Sequence, residues 1–249
     1  MVKVALQLWS VKEAMEENPE QTIRALSEAG YDGVQLAGDY GKSGAEWKKI
    51  LSENHLEAAG IHMPVTALEN TSELDHWISF SKEIGNTKLI IPFVDEEWRT
   101  LEGYKKLTRL MNAAADQVNK SGIKLGYHHH DFEFKTVETS MTGWDVIEET
   151  ADPDHIHFEI DVYWTEYAGI DTYNLLDRLK GNIFSIHLKD SVEENGQKRT
   201  AAIGKGSLDL KGFADRVQTD WLVVEQEHFD DDPLEEVKPS AKVVKGWYE

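Results

Sequence analysis

The residues best suited to chemistry cluster in KLGYHHHDFEF at Lys124–Phe134, where an apolar run of β character ends in three consecutive histidines. Consecutive residues of a strand face opposite sides, so His128 and His130 are predicted to converge on one site while His129 points away. Imidazole changes charge near neutral pH and binds metals, and Glu133 adds a carboxylate nearby. The segment therefore predicts a metal-binding or acid–base site at the end of a strand.

Further polar or aromatic candidates lie near the ends of other apolar runs. They are Trp9, Gln35, His62, Asp161, Trp164, His187, Lys189, Glu225 and Glu227. If the strands form a parallel barrel, Asp161, His187 and Glu225 meet His128 at its carboxyl end. Two imidazoles and two carboxylates suit one divalent ion, with Mn, Co, Zn or Fe(II) favoured, Mg left open and Ca disfavoured.

Eight alternations of an apolar run with an amphipathic segment would position these side chains. The predicted strands are Val2–Trp9, Gly33–Leu36, Glu57–Met63, Lys88–Val94, the histidine run, His155–Tyr163, Ile183–Leu188 and Trp221–Glu227. The predicted helices are Glu20–Ala29, Ala45–Asn54, Ser72–Ile84, Leu101–Asn119, Trp144–Thr150, Thr172–Leu179, Leu210–Val217 and Pro233–Trp247, the last broken by Pro239. This alternation predicts an α/β fold, a single TIM (β/α)8 barrel domain over residues 1–249, rather than an open doubly wound sheet.

Two charged residues are predicted to lie deeper inside the barrel. Glu159 has the same parity as Asp161, and Lys124 has that of His128. Burying either charge alone would cost several kcal/mol. Lys124 and Glu159 are therefore predicted to pair across adjacent strands as a structural contact.

Composition restricts the partners of the chain. The 26 Lys plus Arg and 46 Asp plus Glu give a formal charge of −20, which opposes binding to a phosphate backbone, so no nucleic acid partner is expected. The absence of cysteine excludes disulfides and thiolate metal ligands. No signal peptide or apolar run of roughly 18 residues is recognised, which predicts a cytoplasmic protein without membrane association. Assembly into a homo-oligomer is left open.

Seven segments together resemble the xylose isomerase-like sugar phosphate isomerase/epimerase family. They are LQLWSVKE at Leu6–Glu13, GYDGVQL at Gly30–Leu36, GIHMP at Gly60–Pro64, GYHHHDFEF at Gly126–Phe134, IDVYW at Ile160–Trp164, IHLKD at Ile186–Asp190 and VVEQE at Val223–Glu227. The resemblance covers nearly the whole chain. It implies a TIM barrel with one divalent metal, and by position Asp161, His187 and Glu225 match the family's aspartate, histidine and final glutamate.

One position departs from the family pattern. His128 stands where many members, such as ketose 3-epimerases, have a glutamate that touches the metal and exchanges a substrate proton. A ligating imidazole gives its single lone pair to the metal, so His128 is poorly suited to both tasks. His128 is the predicted ligand, with His130 as the alternative. The second base would then be His130 or Glu133, or the enzyme would work with one base.

The resemblance implies a metal-dependent isomerase or epimerase acting on a small sugar or keto-polyol. Glu225 would remove the α-proton beside a metal-bound carbonyl. Lys189 would neutralise developing charge, or only form a salt bridge with Asp190 or Glu227. The expected substrate-binding residues are His62, Trp9, Trp164 and Gln35.

Three other functions are compatible with this fold. A dehydratase of the inosose dehydratase type begins with the same proton removal and then expels a β-hydroxyl. A non-catalytic sugar-binding barrel would keep the scaffold alone, and an apurinic endonuclease is disfavoured by the acidic charge. The turn AIGKGSL at Ala202–Leu208 either binds phosphate or is a plain turn.

Overall fold

Eight parallel strands close into a barrel in the computed structural model, which describes residues 2–249. Its strands are β1 (Lys3–Gln7), β2 (Gly33–Ala37), β3 (Glu57–His62), β4 (Lys88–Ile91), β5 (Lys124–His128), β6 (Thr136–Glu138), β7 (Met141–Thr142), β8 (Ile156–Asp161), β9 (Ile183–Leu188), β10 (Asp190–Glu194), β11 (Gln197–Ala201) and β12 (Trp221–Val224). Around the barrel the order is β1-β12-β9-β8-β5-β4-β3-β2, and the pairs β6–β7 and β10–β11 form separate hairpins. The predicted α/β TIM barrel is confirmed.

Helices cover the outside of the barrel. They are α1 (Lys12–Glu17), α2 (Pro19–Glu28), α3 (Gly44–Glu53), α4 (Thr71–Ile84), α5 (Leu101–Lys120), α6 (Gly143–Thr150), α7 (Val162–Tyr167), α8 (Thr172–Arg178), α9 (Leu210–Arg216) and α10 (Pro233–Gly246). Their starts follow local signals: the Asn18 side chain accepts a hydrogen bond from Gln21 N, and Ser43 and Glu46 form a capping box. Most predicted helix boundaries are therefore correct to within two residues.

Helix α10 runs through Pro239, so the predicted break is wrong. A proline inside a helix removes one hydrogen bond and costs about 3 kcal/mol. Val237 and Val244 are fully buried against the barrel, and each contributes about 1.5–3 kcal/mol through burial. Packing of the apolar face therefore offsets the cost of the proline.

The two ends of the barrel interior differ in polarity. A small apolar cluster of Ala5, Ala59, Trp221 and Val223 occupies the part nearer the amino ends of the strands. Ala5 and Val223 are register partners, and the next inward positions along their strands are Gln7 and Glu225. The apolar cluster closes the barrel below, and polar side chains collect above it.

The predicted pairing of Lys124 with Glu159 is wrong. Lys124 is exposed at the start of β5 and lies in register with Lys88. The register partner of Glu159 is His128 at the other end of the same strand. The stagger between the barrel strands, rather than side-chain parity alone, decides which charges meet.

Within residues 2–249, no helix combines the length and the apolar character needed to cross a membrane. The cytoplasmic location and the absence of a nucleic acid partner stay predictions.

Candidate active site

Four side chains from neighbouring strands converge at the carboxyl end of the barrel. This outer cluster consists of His128, Asp161, His187 and Glu225, and one ligand atom from each lies within 4.8 Å of the others. Parallel pairing explains the convergence, because Asp161 and His187 are register partners on β8 and β9. Glu225 N donates to Leu188 O at 3.1 Å, which continues the ladder beyond β12. All four side chains are buried.

The local fold fixes the orientation of Asp161. Its Oδ1 accepts hydrogen bonds from Tyr163 N at 3.0 Å and Trp164 N at 3.1 Å, which caps the start of α7. Its backbone N–H donates to His129 Nε2 at 3.2 Å. Oδ2 is thereby left to face the other members of the outer cluster.

The outer cluster fits a small divalent cation. Asp161 Oδ2 is buried, and the ammonium of Lys189 lies 2.9 Å from it. His128 Nε2 and His187 Nδ1 each lie 3.9 Å from this oxygen. A buried carboxylate oxygen that faces two imidazole nitrogens at 3.9 Å is the donor arrangement of a nitrogen–oxygen metal site.

Lys189 is fully buried beside the outer cluster. Its Nζ lies 2.9 Å from Asp161 Oδ2 and 2.9 Å from Glu225 Oε2, and it also contacts Glu227. Burial acts to lower the pKa of Lys189, but the three carboxylates raise it well above the usual value. Lys189 therefore forms the expected salt bridge with Glu227, but it does so as a buried ammonium that also contacts Asp161 and Glu225.

His187 connects two groups of carboxylates. Its Nδ1 lies 2.8 Å from Glu225 Oε2 and its Nε2 3.0 Å from Glu159 Oε1. Burial acts to lower the pKa of His187, but Glu159 and Glu225 raise it to about 10. A proton or a metal ion is thus strongly favoured between His187 and Glu225.

A second cluster lies deeper in the barrel and shares two histidines with the first. This inner cluster consists of His62, His128, Glu159 and His187. Glu159 is fully buried, and its Oε1 lies 2.8 Å from His62 Nε2. Burial acts to raise the pKa of Glu159, but the surrounding histidines, His187 first, lower it well below the usual value. Glu159 is therefore a buried carboxylate at the floor of the site.

A cavity of about 660 Å³ opens above the clusters. It is lined by Trp9, Ala37, Gly38, His62, Met63, Pro64, Pro92, Phe93, His128, His130, Glu225 and Glu227. One part of the wall carries histidines and carboxylates, whereas the part from the first four barrel strands is largely apolar. The cavity lies within the usual size range for small-molecule sites, about 300–1,000 Å³.

The structure brings two of the four predicted substrate contacts, Trp9 and His62, to this cavity. Trp9 is 51% exposed, so it is available to a ligand and does not belong to the core. His62 and His130 also line the wall. Gln35 is fully buried below, where it bonds Glu159 and His187, and Trp164 packs 5.6 Å from the His130 ring outside the lining. These two residues contact members of the clusters, but they do not line the cavity.

Two residues of the histidine segment lie behind strand β5. Glu133 accepts hydrogen bonds from Tyr127 OH at 2.6 Å and His130 N at 2.8 Å, away from the cavity. Burial raises the pKa of Glu133 to about 7. His129 packs against Trp144 on the same outer side and holds the backbone of Asp161, so it contributes indirectly. His130 is thus the member of this segment, besides His128, that reaches the cavity.

The glycine-containing turn after β11 is closed by a side chain. Asp190 Oδ2 accepts hydrogen bonds from Gly204 N and Gly206 N, both at 2.9 Å. Lys205 between them is exposed. Because the backbone donors are already used by a carboxylate, the structure favours the plain turn over a phosphate site.

Sequence reasoning missed several residues of the site. Glu159 has the parity of Asp161 and was assigned to a structural ion pair, although it lies against three histidines. Phe93 follows Pro92 beyond the end of β4 and is 43% exposed. Its apolar side chain gave no chemical signal in the sequence.

Comparisons with known proteins agree with this architecture. An inosose dehydratase of Mesomycoplasma hyopneumoniae is 25% identical over 245 residues, which cover 84% of this chain and 81% of that protein. A solved sugar phosphate isomerase/epimerase of Parabacteroides distasonis superposes with a TM-score of 0.83 at 20% identity, covering 98% and 94% of the two chains. The IolI protein, solved with a zinc atom, has a TM-score of 0.77 at 15% identity and covers 98% and 97%.

A family model described as the xylose isomerase-like TIM barrel matches residues 23–247. This match extends over all but the first strand of the barrel and includes every member of both clusters. The chain therefore belongs to the xylose isomerase-like TIM barrel family.

Proposed function

We propose that this protein is a divalent-metal-dependent sugar isomerase or epimerase that removes a proton from the carbon next to a ketone carbonyl. The observation that carries the proposal is the position of Glu225, which belongs to the outer cluster and also lines the cavity. A single carboxylate thus faces both the cation site and the space for a substrate. This is the arrangement that proton abstraction beside a polarised carbonyl requires.

The outer cluster supplies the ligands for the metal. His128, Asp161, His187 and Glu225 would hold one divalent ion, which would act as a Lewis acid on the substrate carbonyl. Two nitrogen and two oxygen donors suit Mn, Co, Zn or Fe(II). The zinc atom in the fold-related IolI protein agrees with this range.

Two groups of this chain would move protons. Glu225 would take the α-proton, since its pKa is held well below the usual value, against the effect of burial, by Lys189 and His187, so that it is ionised. Burial and the neighbouring His128 lower the pKa of His130 well below its usual value, so this ring is a neutral donor or acceptor. His130 would serve as the second group because it lines the cavity, whereas Glu133 is bonded behind the strand.

Lys189 would stabilise the negative charge that develops on the substrate during proton removal. Its ammonium lies 2.9 Å from Glu225 Oε2, behind the cavity wall, so its charge would act on the substrate across that carboxylate. A fixed positive charge in a water-poor site needs little reorganisation when charge develops nearby.

The cavity favours an unphosphorylated sugar or keto-polyol. Among residues 2–249, no lysine or arginine lines it, and two carboxylates do. The glycine turn that would be a phosphate site is filled by Asp190. A phosphate group would find no partner there, and it would be repelled by Glu225 and Glu227.

A lyase of the inosose dehydratase type is the second candidate. The curated relative from M. hyopneumoniae carries that name and aligns with most of the chain, which favours this alternative. Elimination would begin with the same transfer of the α-proton to Glu225, and the β-hydroxyl would leave with a second proton as water.

Proton NMR in deuterated water separates the two candidates. The protein, treated with chelator and reloaded with Mn, Co, Zn or Fe(II), is incubated with a panel of keto-sugars and keto-inositols, with the chelated protein as control. An isomerase or epimerase gives a product of unchanged formula and exchanges the α-proton, whereas a dehydratase product is lighter by one water. Absence of exchange with every metal and substrate would leave a non-catalytic sugar-binding barrel.

A further inference from the structure

The floor of the site is built around one carboxylate oxygen. Glu159 Oε1 lies 2.8 Å from His62 Nε2, 3.0 Å from His187 Nε2 and 3.2 Å from His128 Nδ1. Glu159 is fully buried, so water does not replace these contacts. Three imidazole rings are therefore turned toward the same negative charge.

Two of these rings extend from the inner to the outer cluster. His128 faces Glu159 with Nδ1 and Asp161 Oδ2 with Nε2, at 3.2 and 3.9 Å. His187 faces Glu159 with Nε2 and Glu225 Oε2 with Nδ1, at 3.0 and 2.8 Å. Each ring thus directs one nitrogen to each cluster.

A neutral imidazole carries a proton on one nitrogen and a lone pair on the other. A lone pair pointed at the buried Glu159 carboxylate would leave two acceptors facing each other without a donor, which is costly in a dry interior. With a cation in the outer cluster to meet the nitrogens that face Asp161 and Glu225, the favoured tautomers therefore carry protons on His128 Nδ1 and His187 Nε2. Their opposite nitrogens then present lone pairs to the outer cluster.

We propose that Glu159 is a positioning residue that fixes these tautomers and ring orientations, so that His128 and His187 hold a cation in the outer cluster. Carboxylates bonded to the far nitrogen of a metal-binding histidine act in this way in metal sites generally. The inner cluster, by the same argument, does not hold a second ion, because protons occupy its nitrogens.

The other oxygen of Glu159 is also held in place. Glu159 Oε2 accepts hydrogen bonds from Gln35 Nε2 at 2.5 Å and from Ser185 Oγ. Gln35 Oε1 is in turn 2.7 Å from His187 Nε2, a second acceptor that requires a proton on the same nitrogen. Within residues 2–249, His128 Nδ1 lies 3.2 Å from Glu159 Oε1 but does not have the geometry of a formed hydrogen bond with any group, so this contact is one of charge and distance. The carboxylate is therefore fixed in orientation before any ion binds.

Zinc binding tests the proposal without a substrate. Titration calorimetry of the chelated protein with Zn²⁺ is expected to show that Glu159→Gln, which keeps shape but removes charge, weakens affinity by about 10–100-fold. Ser185→Ala is the matched control, because it removes a neighbour of Oε2 and leaves the charge, and it should weaken affinity less. Equal zinc affinity in wild type and Glu159→Gln would overturn the proposal.

A spectroscopic measurement on the zinc-loaded wild type provides the second test. With ¹⁵N-labelled histidine, long-range nitrogen–proton correlations identify the protonated nitrogen of each ring. Protons on His128 Nδ1 and His187 Nε2 are expected, and the opposite tautomer in either ring would refute the role of Glu159 even if Glu159→Gln fails to fold. Because no turnover is measured, a negative result here is distinct from failure of the proposed reaction.

Discussion

The inner and outer clusters use the same two histidines but place them in different surroundings. In the inner cluster, one fully buried carboxylate oxygen is surrounded by nitrogen atoms, and Gln35 and Ser185 hold its other oxygen. In the outer cluster, Glu225 lines a cavity, and the ammonium of Lys189 lies against the carboxylates. In the inner cluster, both oxygens of Glu159 are held by fixed polar groups, so this cluster positions other residues. In the outer cluster, Glu225 faces a cavity, so this cluster can react with a ligand.

Glu225→Gln is the strongest test of this difference. The amide cannot accept the α-proton, so deuterium exchange into substrate is expected to fall on the order of 10³-fold. Exchange is measured by proton NMR at saturating metal, with Zn²⁺ affinity as the control for a lost ligand. Unchanged exchange with intact metal binding would assign the base to another residue.

Lys189→Met tests the charge balance of the outer cluster. Removing a buried cation from its carboxylates is expected to destabilise the metal-free protein by about 3–5 kcal/mol. Bound zinc should restore part of this loss, so the rise in melting temperature on zinc addition should exceed that of wild type. Lys205→Met, in the exposed turn, serves as the matched control. Equal unfolding free energies for Lys189→Met and wild type in chelator would contradict the charge argument.

A comparison of Glu133 with Glu159 tests whether burial alone sets the pKa of a carboxylate in this protein. Glu133 is as buried as Glu159, but no histidine side chain bonds it, and burial raises its pKa from 4.5 to about 7. Because the folded-state pKa is raised, its contribution to stability is full below about pH 4.5 and is lost as pH rises through about 7. Denaturant unfolding of Glu133→Gln should therefore show a gain relative to wild type of up to about 3 kcal/mol between these pH values.

Glu138→Gln, at an exposed position of β6, is the control for that pH series. A Glu133→Gln difference that does not change with pH would mean that the carboxyl is ionised throughout.

Trp9→Ala tests whether the cavity beside the outer cluster binds the substrate. Loss of an aromatic surface in the cavity wall is expected to raise KM by about 5–10-fold, equivalent to about 1 kcal/mol, with kcat nearly unchanged. Tyr167→Ala removes a comparably exposed aromatic side chain outside the cavity lining and should leave both constants unchanged. A fall in kcat without a change in KM would place Trp9 closer to the reacting atoms than the cavity lining indicates.

Much of the architecture could be predicted from local sequence patterns. Alternating apolar and amphipathic segments predicted the barrel, and the helix predicted over Glu20–Ala29 lies within one residue of α2 at each end. Strand alternation also predicted that His128 and His130, rather than His129, point toward the cavity, as observed. The break at Pro239 was wrong because a local rule was overridden by packing of the helix against the barrel.

The positions of Gln35, Glu133 and Glu159 could not be read from the sequence. Glu133 follows the histidines closely, yet the turn after β5 directs it back to Tyr127. The side chain of Gln35 points into the barrel, as expected for a substrate contact. It is fully buried below the cavity, however, and does not line it. Parity assigns a side of the strand, whereas depth depends on how far each strand is shifted along its neighbour.

The sequence by itself determined the alternating elements, the strand-end residues and the absence of thiolate ligands, because each depends on residue type and spacing within one segment. The tertiary structure decided that Glu159 meets three histidines instead of Lys124, that Lys189 is buried among carboxylates, and that an apolar wall faces the site. These contacts join residues from different strands. Barrel closure fixes the stagger between strands, and the sequence of a single strand does not encode it.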